Sequence, residues 1–306
     1  MTLSTEIVDA LEIVVTASNP SGRSELVVVT GASTGLGEAT ARGLARNGFH
    51  VLAGVRRDVD ADALGAEGIE PHILDITVDS DVAAIADRVA RDPLGRPLRA
   101  LVNNAGISIN APVETLPIAE WRRLFEVNLF GHVAMTRALL PALLRSGGTV
   151  VNISSVGGKV ALPTYGAYAG SKFALEAVSD SLRREVSGLG VKVVVVEPGA
   201  VKTQMLGRGV ANADRLKAGI TTDQLERYGD LVAAISEQAR SFGEDGVSAE
   251  SAAKVIGRVA VAPRPRTRYT IGRDAAILVR LTRLLSDRFL DRMVRLNLRS
   301  NHAANA

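Results

Sequence analysis

Short apolar runs recur along this chain, and a segment of helical periodicity separates each from the next. Residues 26–29, 49–55, 69–74, 99–102, 149–153 and 191–196 read as strands, with valine, isoleucine and leucine prominent in most of them. Continuous apolar runs of this length suit strands covered on both faces. Helical patterns fall at 39–45, at 79–91, within 117–144, and from Tyr168 onward through Phe173, Leu175, Ala177, Val178, Leu182 and Val186. Parallel strands need a crossover, and helical segments supply it along the chain. The pattern therefore predicts an α/β fold, a doubly wound parallel sheet with helices on both faces. In such sheets ligands bind beyond the carboxyl ends of the strands.

Composition narrows what such a sheet serves. The chain has no cysteine, which removes a disulfide framework, a thiolate nucleophile and any cysteine-based metal site. Its histidines, His50, His72, His132 and His302, show no HxxxH or HExxH spacing and read as structural or surface residues. The net charge of +3 is uneven: residues 264–299 carry ten arginines against Asp274, Asp287 and Asp291, leaving the rest of the chain acidic. A basic tail on an acidic body argues against a nucleic-acid-binding core. No run approaches the ~20 apolar residues of a membrane span, and the first residues lack the basic stretch of a secretory signal. A soluble, cytoplasmic protein is the expectation.

Residues 1–24 hold an apolar patch (Ile13, Val14, Val15) and end in the breaker cluster Ser18-Asn19-Pro20-Ser21-Gly22. They read as an extension, either disordered or a short docking helix, ahead of a single domain over 25–272. Ser248 reads as a helix N-cap leading into 252–261, and residues 268–271 as a final edge strand. Residues 273–306 form an extra helical tail. Ile277, Leu281, Leu284, Phe289, Met293 and Leu296 recur there among arginines at helical spacing. Packing on its own subunit or on a neighbour is the first reading of that tail; peripheral contact with an anionic membrane is the second.

The residues suited to chemistry fall at the strand ends. Thr30-Gly31-Ala32-Ser33-Thr34-Gly35-Leu36-Gly37 joins a strand to a helix, where glycines let the backbone approach a pyrophosphate and the helix start offers amide donors. Its spacing is GxxxGxG rather than GxGxxG. Arg56 follows the second strand, where a Rossmann-type fold meets the adenosine ribose. An arginine there favours a 2′-phosphate and an acid favours a 2′-hydroxyl, and no acid appears until Asp58. NADP(H) is therefore the preferred cofactor, with NAD(H) left open; the competing reading makes Arg56 and Arg57 solvated loop charges. Asp75, followed by Ile76, either caps a turn or accepts from an adenine amino group. Ser155 lies just beyond the 149–153 strand, and Tyr168 and Lys172 share one helix face at i and i+4, so that the three could together protonate a carbonyl. Tyr165 has Ala169 at i+4 and cannot replace Tyr168; it reads as a loop aromatic lining the pocket.

In order, Thr30-Gly31-x-x-x-Gly35-x-Gly37, Asp75, Asn103-Asn104-Ala105-Gly106, Asn128, Ser155, Tyr168-x-x-x-Lys172 and Pro198-Gly199 resemble the short-chain dehydrogenase/reductase family over about residues 25–272. The stretches Ser171–Glu176 and Glu197-Pro198-Gly199-x-Val201-x-Thr203 are similar to its estradiol 17β-dehydrogenase and retinol dehydrogenase branch. The resemblance implies a Rossmann-type fold and an NAD(P)-dependent oxidoreductase that interconverts a secondary alcohol and a ketone, with a lipophilic substrate expected. An NAD(H)-dependent dehydrogenase of a small alcohol, or a non-catalytic cofactor-binding sensor, are the alternatives. The family roles make Tyr168 the general acid or base, its pKa drawn down by the Lys172 ammonium and, in the oxidised state, by the positive nicotinamide. Lys172 also holds the nicotinamide ribose, Ser155 binds the substrate oxygen, and Asn128 holds a water leading from Lys172 to solvent. The family's interval selects Ser155 over Ser154. Asn104, Ala105 and Gly106 are expected against the adenine ribose, Asn103 in sheet-stabilising bonds, and Pro198, Gly199, Val201 and Thr203 around the carboxamide. Residues 204–246 correspond to the substrate lid, and a homodimer or homotetramer is implied.

Overall fold

The computed structural model describes residues 25–203, 219–282 and 284–303. The extension at 1–24 and the early lid residues Met205, Leu206 and Leu216 lie outside the described residues. The chain runs β1 (Leu26–Val29), α1 (Gly35–Arg46), β2 (His50–Val55), α2 (Asp58–Leu64), β3 (Ile69–Ile73), α3 (Asp79–Ala90), β4 (Leu98–Asn103) and α4 (Ile118–Phe125). A π-helical turn, Glu126–Phe130, joins α4 to α5 (Gly131–Ser146), followed by β5 (Thr149–Ile153), α6 (Gly166–Glu185) and β6 (Lys192–Pro198). Next come β7 (Val201–Lys202), α7 (Thr222–Asp245), β8 (Val247–Ser248), α8 (Ala249–Val261), β9 (Arg268–Ile271), α9 (Arg273–Leu281) and α10 (Asp287–Ala303).

The main sheet has seven strands in the order β3-β2-β1-β4-β5-β6-β9. Each neighbouring pair is parallel. The strands are apolar at successive positions because both faces are covered. Val27 and Val29 point into a core shared with Leu44 of α1 and Ile256 of α8. Leu26 and Val28 point the other way, into a core with Ile85 of α3 and Leu139 of α5. Strand alternation thus divides one apolar run between two cores. The winding reverses between β1 and β4, and a crevice opens there at the carboxyl edge.

Three elements differ from the sequence reading. The short helix α2 was not foreseen; Asp58 and Asp60 in its first turn favour it by opposing the helix dipole. The tail is two helices rather than one, parted after Thr282, with the Ser286 carbonyl accepting from the Phe289 and Leu290 amides at the start of α10. α10 packs against α7, while Leu284, Phe289 and Leu296 keep half or more of their surface exposed. The continuous helical run Ile118–Ser146, by length and composition alone, is long and apolar enough to cross a membrane, contrary to the expectation that no run approaches that length. Here its buried residues, among them Leu124, Met135 and Leu143, pack within the protein.

Leu139 is 1% exposed at the centre of the α5 side of the sheet. Leu139→Ala should lower the unfolding free energy by about 3 kcal/mol, read as a lower urea midpoint at unchanged slope.

Candidate active site

The crevice between β1 and β4 is closed at its base by hydrogen bonds rather than by packing alone. The Thr30 hydroxyl accepts from the Asn104 and Ala105 amides, both at 3.0 Å. The Asn104 carboxamide returns two bonds, to the carbonyls of Thr30 at 2.9 Å and Gly31 at 3.1 Å. This brings the glycine loop close to the 104–106 segment: a Cβ on Gly31 would lie 2.7 Å from the Ala105 Cα, and Gly31 also holds a left-handed φ of 64°. A side chain on Gly37 would run into the Gly31 carbonyl and the Asn104 amide. Only glycine suits either position. Ser33 and Thr34 remain partly exposed ahead of α1, whose first amides have no acceptor within the helix. Gly35 abuts Thr203, so the segment after β6 closes the loop from the other side.

Arg56 and Arg57 follow β2 but are used differently. Arg57 forks onto Asp60 with bonds of 2.8 and 2.5 Å, whereas Arg56 is exposed and has no side-chain partner among the described residues. Asp75 caps a turn: its Oδ1 accepts from the Thr77 amide and hydroxyl at 3.0 and 2.7 Å. The turn-capping alternative is therefore realised, and Oδ2 is left without a hydrogen bond among the described residues. Ile76 is buried, and a Cβ on Gly131 would meet its side chain 2.6 Å away.

At the end of β5 the two serines separate. Ser154 Oγ is buried against the backbone of Gly158, without a hydrogen-bond partner among the described residues. Ser155 caps the 3₁₀ turn Val156–Gly158, accepting from the Gly157 amide at 3.0 Å, and its hydroxyl also lowers the pKa of the neighbouring Tyr168 phenol. Tyr168 and Lys172 lie one turn apart on α6, with the Lys172 ammonium nitrogen 6.0 Å from the Tyr168 ring centre. The Tyr168 ring is partly exposed, but burial around its hydroxyl pushes the phenol pKa up, and Ser155 offsets this only in part. The expectation of a pKa drawn down by Lys172 is thus reversed. The physical reason is that burial dominates, while the ammonium is directed to the Ile153 carbonyl at 2.8 Å. Burial also pulls Lys172 down to about 8, opposed by the nearby Glu176 carboxylate.

Asn128 occupies the middle of the π-helical turn, an irregularity often found at functional positions. Its carboxamide oxygen accepts from the Ile107 amide at 2.9 Å, and its nitrogen donates to the Ile107 carbonyl at 2.9 Å and to Ser171 Oγ at 3.1 Å. Ser171 in turn donates to the Tyr168 carbonyl at 2.7 Å. The amide protons of Asn128 thus tie the loop after β4 to α6. Asn103, as expected, bonds within the sheet layer, to Thr136 and Asn152. Pro198 is buried at the end of β6, the Gly199 amide donates to the Ile271 carbonyl, and Val201 is buried beside β8. Tyr165 stacks edge-on against Tyr168, with ring centres 6.3 Å apart.

Sequence reasoning passed over three contributors. Thr30 was seen only as part of a motif. His132, buried, reaches the Ala105 carbonyl at 2.6 Å, and burial lowers its pKa to about 3, so it is a neutral donor at ordinary pH. Trp121, with Ile107, Ile109 and Leu116, builds an apolar wall beside Tyr168. A loop hydroxyl, a lone histidine and a scattered apolar set carry no local signal of such placement.

Comparison with known proteins agrees with this geometry. Residues 25–214 match the family described as short chain dehydrogenase. The chain is 32% identical over 274 residues to an NADPH-dependent 3-dehydrocapnine reductase of Ornithobacterium rhinotracheale, covering 87% of this chain and 94% of that one. It is 36% identical to human retinol dehydrogenase 16 over 264 residues, 84% of this chain and 83% of the relative. Among solved structures, a short chain dehydrogenase from Burkholderia cenocepacia in complex with NADP superposes with a TM-score of 0.67 at 25% identity, over 90% of this chain and 98% of the other.

The Thr30 hydroxyl serves two backbone amides that have no other acceptor among the described residues. Thr30→Val should destabilise the protein by about 2 kcal/mol and weaken dinucleotide binding, measured by thermal unfolding and by fluorescence titration with NADPH.

Proposed function

The chain belongs to the short-chain dehydrogenase family of oxidoreductases, and on that premise we propose that it interconverts a lipophilic secondary alcohol and its ketone with NADP(H), using Tyr168 as the proton-transfer group. One observation carries the reading: Tyr168 lies beside Ser155, both against Gly157, and one helical turn from the buried Lys172.

The proton chemistry follows from these contacts. A phenol raised by burial is neutral at pH 7 and therefore set to donate to a carbonyl oxygen; in the reverse direction it accepts. The Ser155 hydroxyl stands beside it, able to bond the same oxygen as negative charge develops there. Lys172, pulled down to about 8, is still mostly ammonium at neutral pH and supplies a positive field next to the phenol. Asn128 holds Ile107 and Ser171, and through them the backbone on either side of Tyr168. The nicotinamide dinucleotide, when bound, supplies or takes up the hydride.

The residues present fit that cofactor. The Gly31 and Gly37 positions leave a backbone cradle that any Cβ would fill, next to the open amides of α1. Arg56 is a cation without a side-chain partner among the described residues at the end of β2, which suits a 2′-phosphate, whereas Arg57 is occupied by Asp60. The NADPH dependence named for the Ornithobacterium relative and the NADP of the Burkholderia structure support the same preference. The partly exposed Ile107 and Trp121 beside Tyr168 support a lipophilic substrate, as does the retinol of the human relative's name. Exposed Phe130 and Leu144 on one side of the helical run and Phe173 and Val178 on α6 support pairing of subunits.

Tyr168→Phe should lower turnover by about 10²- to 10⁴-fold while leaving the affinity for NADPH unchanged; retained turnover would refute the mechanism. Arg56→Ala should weaken NADPH binding by roughly ten- to a hundredfold without affecting NADH, and equal losses for both would instead favour NAD(H). Turnover of ketosteroids and retinaldehyde against small ketones, each with NADPH, tests the substrate class; faster turnover of the small ketones would overturn it.

A further inference from the structure

One turn beyond Lys172, α6 carries a carboxylate that the proton chemistry has not used. Glu176 is 5% exposed, and both Lys159 and Arg268 converge on its Oε2, at 2.6 and 3.0 Å. The same two cations approach a second buried carboxylate, Glu197, whose Oε1 lies 3.6 Å from Lys159 and 3.4 Å from Arg268. Thr270 donates to the other oxygen of Glu197 at 2.8 Å. At the exposed rim, Asp180 takes the Arg268 guanidinium at 2.9 Å.

A buried ion cluster is poor evidence of stability, because the cost of removing charges from water largely cancels their attraction. Its placement is more informative. Lys159 follows the turn that Ser155 caps, Glu176 lies on the helix of Tyr168 and Lys172, and Glu197 immediately precedes Pro198 and Gly199. Arg268 and Thr270 come from β9, the strand that completes the sheet beside β6. Three chain segments that carry the proposed reacting and cofactor-holding groups thus meet at one set of charges.

We propose that Glu176 is a positioning residue of the reaction, clamping the Ser155 turn to α6 through Lys159 and supplying the negative charge that supports the Lys172 ammonium. This rests on the reading of Tyr168 and Lys172 as the proton-transfer pair. Among the described residues Glu176 Oε1 accepts no hydrogen bond, and Glu176 stands one helical turn from Lys172 on α6. Among the described residues, the groups that act on Lys172 are Tyr168 and Glu176 from its own helix, the Ile153 carbonyl from β5, and His132 from α5. His132 is uncharged above about pH 3, and Tyr168 is neutral, so Glu176 is the anion that opposes the effect of burial on Lys172. The sign follows. Removing the Glu176 charge lowers the Lys172 pKa further, and the ammonium is lost at a lower pH.

The test reads Lys172 directly. The full-length protein, labelled with ¹³C at the lysine ε-carbon, contains six lysines, and the Lys172 signal is the one missing from Lys172→Met. In Glu176→Gln the Lys172 signal should titrate at lower pH than in the parent, and in Glu176→Asp close to it. Lys159→Gln, which removes a cation instead, should move it to higher pH and keeps the test available if Glu176→Gln does not fold. With a ketone reduced by the parent enzyme, the alkaline limb of the kcat profile should move with the Lys172 titration. An unchanged Lys172 titration in the folded Glu176→Gln and Lys159→Gln proteins, or a loss of kcat that is uniform across pH, would overturn the proposal. Because the NMR titration needs no turnover, it separates this outcome from a failure of the Tyr168 mechanism, which Tyr168→Phe reports.

Discussion

Strands β1 and β4 lie side by side but send the chain in different directions, one into α1 and the other into the 104–117 loop. Beyond the last strand-to-strand bond, what holds these departing segments together is one hydroxyl and one carboxamide, those of Thr30 and Asn104. The bonds satisfy backbone groups that the sheet ladder no longer reaches. They also fix how close the glycine loop comes to Ala105, and so the width of the crevice in which any dinucleotide would lie. His132 adds a bond from α5 to the same Ala105 segment. The geometry of the cofactor side of the site is thus decided by a few polar contacts at a place where the regular sheet gives out.

The catalytic side is built on a contrast between burial and charge. Tyr168 and Lys172 are both drawn toward their neutral forms by removal from water, the phenol upward and the amine downward. For the lysine this is a real tension, since its proposed work needs the charge. The Ile153 carbonyl answers one ammonium proton, and Glu176 opposes the desolvation from one turn away. For the tyrosine the same burial favours the protonated form, so the environment as it stands favours proton donation over proton removal.

Much of this was legible in the sequence, for definable reasons. Apolar runs that ignore alternation report burial on both faces, and the strands appear where those runs lie. Tyr168 and Lys172 could be paired, and Tyr165 set aside, because helical spacing decides which side chains share a face. The Ser248 cap was visible because a serine before an apolar helix has one local partner to find, and it accepts from the Ser251 amide. What escaped depended on distance along the chain. Arg268 meets Glu176 from 92 positions away, and nothing near either residue announces the other. The direction of the Tyr168 shift escaped for a different reason: spacing reveals a neighbouring charge but not the depth at which the pair lies. The π-helical turn at Asn128 left no periodic signature because it changes the helix by a single residue.

That turn divides one continuous helix into two halves with separate allegiances. Before it, Leu124 and Trp121 belong to the apolar wall beside Tyr168; after it, Met135, Leu139 and Leu143 belong to the sheet. Asn128, at the joint, is anchored to Ile107 and to Ser171 of α6. The apolar wall beside Tyr168 is thereby separated from the packing that folds the sheet. A family that shares one scaffold and differs in its substrates needs a seam of this kind, and a one-residue irregularity in a helix provides it.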